Sequence, residues 1–168
     1  PSPVYRRSHL GRPAGTAANA LAARADGISM AVEAILGGGS QVLQAALGRL
    51  KQAVQVDPAD GEVWYRLGEA LVYAAQYEEA RQALTRAFDI AKGEGDRILE
   101  AETLNQIGDS YIFQGRNTEA ERHFGEALAL ARAEKDWKSL AVSLHGFGSV
   151  YPQRGEHALS QGYLEHAL

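Results

Sequence analysis

The sequence predicts an all-α fold, an α-solenoid of antiparallel helix pairs, and three sets of residues carry that expectation. Gly68, Gly108 and Gly148 stand forty residues apart inside similar phrases, LGEALVY, IGDSYIF and FGSVYPQ. Ala80, Ala120 and Ser160 keep the same spacing, as do Ala87, Ala127 and Ala167. So do the larger residues Leu84, Phe124 and Leu164. One helical unit is therefore repeated, with small residues where two helices must touch.

Within each unit the first helix is marked by Trp64, Leu104 or Leu144, then Leu67, Ile107 or Phe147, then Leu71, Tyr111 or Tyr151. Steps of three to four residues describe one buried face of a helix. A glycine inside a helix costs about 1 kcal/mol against alanine, so its recurrence calls for close approach of the paired helix. The second helix of each unit bears the alanines.

The elements follow in order. Residues 1–15, PSPVYRRSHLGRPAG, contain prolines, glycines and arginines but no acid, and read as a flexible leader or as the remnant of an organelle transit peptide. Residues 16–58 form a degenerate first repeat. Its alanine-rich helix over 16–36, with Leu21, Ile28, Val32 and Leu36 expected to be buried, is stopped by GGGS at 37–40 and followed by a helix over 40–56. The unit 59–95 holds helices at 60–75 and 77–92, and the unit 96–135 holds helices at 97–114 and 117–133. The last unit, 136–168, holds helices at 137–153 and 156–168. Asp60, Asp96 and Asp136 each precede a first helix, where a carboxylate accepts unpaired N–H groups at the positive end of the helix dipole. Pro152 is expected to end or kink the helix it falls in, and Ser160 and Gly162 to weaken the one after it. The sequence begins without methionine and stops inside a helix with no polar capping helix, so it reads as a fragment of a longer protein.

These residues resemble the tetratricopeptide repeat, whose signature is W-x2-L-G-x2-Y followed by A, F, A and P within about 34 residues. Trp64, Leu67, Gly68, Leu71, Ala80, Leu84 and Ala87 match it. Ala46, Leu50 and Ala53 lie 34 residues before Ala80, Leu84 and Ala87, and Pro58 falls where the closing proline belongs. The later units are six residues longer and lack that proline, with GEGD at 93–96 and AEKD at 133–136 in its place. Such long units are similar to those of Leu-Gly-Asn-repeat polarity scaffolds and of some bacterial regulators. The resemblance covers residues 40–168.

The resemblance implies a protein–protein interaction module whose concave groove is lined by the first helices. Carried onto this sequence, the groove positions are Glu62, Tyr65, Glu69, Val72 and Tyr73, then Glu102, Asn105, Asp109, Ile112 and Phe113. His145, Ser149, Pro152 and Gln153 follow in the last unit. An acidic strip with apolar and aromatic patches suits a basic-apolar peptide, aromatic anchors giving affinity and carboxylates giving register. Tyr73 and Phe113 stand where the usual repeat has a polar residue, and read either as such anchors or as packing against the lengthened neighbouring unit. The positions that clamp chaperone-tail carboxylates in this family are here Tyr65, Glu69, Gln106, Val142 and Gly146. None is cationic, so a chaperone-tail clamp is not expected.

Composition narrows the remaining classes. With 45% hydrophobic and 23% charged residues and no apolar run near the 18 or more of a membrane span, a soluble helical protein is expected. The absence of cysteine excludes disulfides and thiolate metal sites, and a net charge of -4 argues against nucleic acid as a partner. The five histidines, His9, His123, His145, His157 and His166, show no H-E-x-x-H spacing, and no GxSxG occurs. GGGS is followed by no GK[ST]. No enzyme, cofactor or metal is expected. The main reading is a scaffold or adaptor binding a protein or peptide partner. A regulatory or sensor segment of a larger enzyme or transcription regulator, and a structural subunit assembling through its convex face or open C-terminal end, are the alternatives. A cytoplasmic location is expected, or an organelle if residues 1–15 are a transit remnant.

Overall fold

Helix pairing across a repeat needs small residues at the crossing and defined helix starts, and both are found. A computed structural model describes residues 14–150, which form seven α-helices: α1 (Ala14–Glu33), α2 (Gly39–Val56), α3 (Gly61–Tyr73), α4 (Tyr77–Glu94), α5 (Arg97–Ile112), α6 (Asn117–Glu134) and α7 (Trp137–Val150). The pairs α1–α2, α3–α4 and α5–α6 pack as hairpins, and each pair leans on the next through α2–α3, α4–α5 and α6–α7. The first helices also touch one another in series, α1 to α3 to α5 to α7. The result is the all-α solenoid that the repeat requires.

The expected caps close the helix starts. Asp60 accepts from the Val63 N–H at 3.1 Å, Asp96 from the Leu99 N–H at 3.0 Å and Asp136 from the Ser139 N–H at 3.3 Å. The helices before two of these caps end in left-handed residues forty apart, Gly95 (φ 73°) and Lys135 (φ 54°). Lysine accepts there a conformation that glycine adopts without strain. Residues 1–13 and 151–168 lie outside the described residues, and with them the rest of the expected leader, Pro152, Gln153 and the helix expected over 156–168.

The core is a column. From Ala23 on α1 through Leu50, Leu71 and Leu84 to Ile107 on α5 it runs unbroken, and two smaller clusters continue it around Phe124 and around Leu140 and Leu144. Gly68 meets Leu84, whose Cγ lies 2.4 Å from where a Cβ would stand. In the next unit Phe124 replaces that leucine, and its ring fills the space beside two backbones. A Cβ at Gly108 would fall 2.6 Å from the ring, and one at Gly146 on α7 would fall 2.4 Å from it. Gly146 therefore complements the larger side chain. Gly148, the glycine in repeat register, meets nothing within 4 Å among the described residues, and its expected partner Leu164 lies beyond them.

The first pair corrects the sequence reading. Leu21, Val32 and Leu36 are exposed, and α1 instead buries Ala23, Gly27 and Ala31, with Ile28 partly covered. A Cβ at Gly27 would fall 3.1 Å from the Leu50 side chain, so Gly27 plays toward Leu50 the role Gly68 plays toward Leu84. The buried stripe is thus a ridge of small residues, which lets α1 and α2 approach closely. Between them the turn Ala34–Gly38 contains Gly37 at φ 116° and is followed by Gly39 at φ 79°, so the triple glycine does break the helix.

Arg81 ties the second pair to the third. It is 8% exposed and donates to Ser110 Oγ at 3.2 Å and Gln114 Oε1 at 2.9 Å, while pairing with Glu78. Its guanidinium also lies 4.6 Å from the centre of the Tyr111 ring. Arg81→Ala removes a cation–π contact and takes away the donor to the buried Ser110 hydroxyl. It is expected to lower the unfolding free energy by about 1–2 kcal/mol, measured by urea titration.

Candidate functional site

A face built from α1, α3, α5 and α7 in sequence is the inner side of the solenoid, since the second helices make no comparable contact with one another among the described residues. The positions that the sequence assigned to the groove fall into three groups.

Some are spent on packing. Val72 is buried at 5% exposure and Ile112 packs against the Phe124 cluster. Tyr65, 6% exposed, lies beneath the surface at the α3–α5 seam, hydrogen-bonded to Gln106 with Glu69 and Glu102 nearby. Burial, then those two carboxylates, push its hydroxyl above the usual range. Asn105 occupies the corresponding place between α5 and α7 and is 1% exposed. Its amide donates to the Ser139 carbonyl at 3.3 Å and its carbonyl oxygen accepts from Ser143 Oγ at 2.8 Å. Tyr65, Val72 and Asn105 are therefore buried in helix packing, with little surface left for a ligand. The correction has a simple cause: adjacent first helices pack tightly enough to cover the residue one position after the large anchor.

A second group is acidic but already neutralised. Glu62 pairs with Arg24 of α1, which also holds Asp60 at 2.8 Å. Glu69 pairs with Arg66 at 3.0 Å, and Glu102 with Lys138 at 2.6 Å. The acidic strip is thus laced with cations of the chain itself.

The third group stays open. Tyr73 is 57% exposed and Phe113 63% exposed, the latter stacked on Tyr77 of α4 with centroids 6.1 Å apart and planes at 19°. His145 and Ser149 are exposed on α7, the serine hydroxyl donating to the His145 carbonyl at 3.1 Å. Asp109 is half-buried beside them and makes no ion pair among the described residues. Burial raises its carboxyl to about 6, against a smaller opposite pull from His145. Sequence reasoning missed Ile98 and Trp137 and named Val142 only as a non-cationic clamp position; all three are large apolar residues exposed on α5 and α7. Ile98 is one turn before Glu102, and that spacing was a usable signal.

Among the described residues no cluster of three or more metal-ligating side chains occurs and no helix is long and apolar enough to cross a membrane. Stacked helix pairs with a continuous inner face of first helices define a helical-repeat interaction scaffold. A tetratricopeptide repeat model matches residues 59–133 and 99–168, and the chain belongs to that family. No curated protein matches the sequence. Among solved structures it is similar to the N-terminal domain of stress-induced protein-1 from C. elegans, at 16% identity and TM-score 0.62, over 80% of this chain and 98% of that one. It is also similar to a Podosopora anserina putative kinesin light chain with nearly identical TPR-like repeats, at 19% identity and TM-score 0.62, over 97% of this chain and 77% of that one. These likenesses concern the fold.

Proposed function

We propose that the chain is a non-catalytic adaptor that holds a peptide segment of a partner in its concave groove, the peptide carrying basic and apolar side chains. The observation that carries this reading is the pair Tyr73 and Phe113, two large aromatic side chains more than half exposed, one repeat apart at the C-terminal ends of α3 and α5. Large aromatic residues are the commonest anchors of protein interfaces. A chaperone-tail clamp does not suit the groove, because Arg24, Arg66 and Lys138 are engaged by its own carboxylates.

The double variant Tyr73→Ala, Phe113→Ala is expected to lose its partner in an affinity capture from native lysate, a drop of about tenfold or more in affinity, with its melting temperature unchanged within a few degrees. Partners retained by both forms would move the binding surface elsewhere. The outer face is the specific second candidate, supporting a structural-subunit reading. There a wide groove runs across α2, α4 and α6, lined by Lys51, Gln82, Arg86, Asp89 and Arg122.

A further inference from the structure

Each groove acid but one is matched by a cation of the chain. The register explains the exception. One turn before Glu69 stands Arg66, which pairs with it; one turn before Asp109 stands Gln106, which is hydrogen-bonded to Tyr65. Asp109 is therefore a half-buried carboxylate with no ion-pair partner among the described residues, one helical turn from the exposed Phe113 ring and its Tyr77 support.

We propose, on the groove reading above, that α5 receives one basic side chain of the partner peptide at Asp109 and, two residues away, one apolar side chain on the Phe113–Tyr77 stack. A helical turn advances about 5.4 Å, and alternate residues of an extended peptide lie about 6.6 Å apart on the same side, so the two sites match positions i and i+2. The peptide needs a single lysine or arginine, because Glu62, Glu69 and Glu102 are already paired. A polybasic segment has no further sites to fill.

Capture of that cation is coupled to a proton. The cation pairs with the carboxylate and not with the acid, so binding weakens as pH falls through the value near 6 that burial imposes on Asp109. Of the titratable and charged groups on the elements packed against α5, His145 of α7 is the one that acts on this carboxyl. On α3, Glu69 is held by Arg66; on α4, Arg81 is held by Glu78, Ser110 and Gln114. On α6, His123 is stacked on Tyr111 and Glu119 is paired with Arg116; on α7, Lys138 is held by Glu102.

A random dodecapeptide phage library selected on the immobilised chain near neutral pH tests this, with the recovered peptides titrated by fluorescence anisotropy. The expected consensus is one lysine or arginine two positions from an aliphatic or aromatic residue. Affinity is expected to fall about tenfold from pH 7 to pH 5 for the parent chain and for His145→Gln. Asp109→Asn is expected to bind about tenfold more weakly at pH 7 and to show no pH dependence. Peptides that are lost with Tyr73→Ala, Phe113→Ala yet lack a basic position, require several, or bind Asp109→Asn unchanged would overturn the inference and leave the adaptor reading standing. Recovery of no peptide sensitive to that double variant would overturn both.

Discussion

Gly108→Ala and Gly146→Ala, made together, are expected to lower the unfolding free energy by about 3 kcal/mol, although each change adds helix propensity worth about 1 kcal/mol. The added methyl groups would stand 2.6 and 2.4 Å from the Phe124 ring, which is fully buried. Overpacking of this kind costs about 1–3 kcal/mol per site and more where two backbones grip one ring, so it outweighs propensity. Gly48 is the control: it is exposed inside α2 with nothing within 4 Å, and Gly48→Ala is expected to gain about 1 kcal/mol. Urea unfolding followed by circular dichroism measures all three. In a Phe124→Ala background, itself costing about 3–5 kcal/mol, the two alanines are expected to add no further loss. An additive loss there would show that the ring is not what excludes the methyl groups.

Asp109→Asn is expected to stabilise the protein increasingly as pH rises above 3.8, and fully above about 6. The folded-state value of Asp109 is about 6 and the unfolded reference is 3.8. Below 3.8 both states hold the proton and the residue contributes nothing. Between the two values the unfolded chain releases its proton first, so native stability falls as pH rises, and above 6 the whole penalty is present. After allowance for partial exposure, that penalty is roughly 2 kcal/mol. The parent and Asp109→Asn should therefore unfold alike near pH 3.5 and diverge up to about pH 7, followed by thermal melts across the range. A constant difference at every pH would mean that shape, and not charge, separates them. On the adaptor reading proposed above, a half-buried carboxylate that destabilises the free protein is one whose interaction a ligand would complete.

Much of the fold was legible because repeat spacing is a local signal. Asp60, Asp96 and Asp136 announce helix starts by residue type alone, and Gly68 and Gly108 announce a close crossing. Gly27 escaped because Leu50 follows it by 23 residues, whereas Leu84 follows Gly68 by 16; the glycine turn at 37–39 lengthens the hairpin and hides the register. The groove was harder to read for a different reason. Arg24 and Lys138 reach Glu62 and Glu102 across 38 and 36 residues, so the acids looked free in a sequence that in fact neutralises them. Arg66 and Glu69, three apart on one helix, were readable as a pair. Asn105 looked like a polar contact for a ligand, yet a buried amide that satisfies a neighbouring serine and carbonyl has the same letter in the sequence.

The ring of Phe124, gripped by the backbones of α5 and α7, also sets how the superhelix bends. Any twist of α7 against α5 must drag that ring through the core, so the wall from Glu102 to Ser149 is torsionally stiff. The seam between α3 and α5 is joined at the corresponding level by the Tyr65–Gln106 hydrogen bond, a softer joint than an interlocked ring. Changes of curvature are therefore expected to concentrate at that seam, between Tyr73 and Phe113.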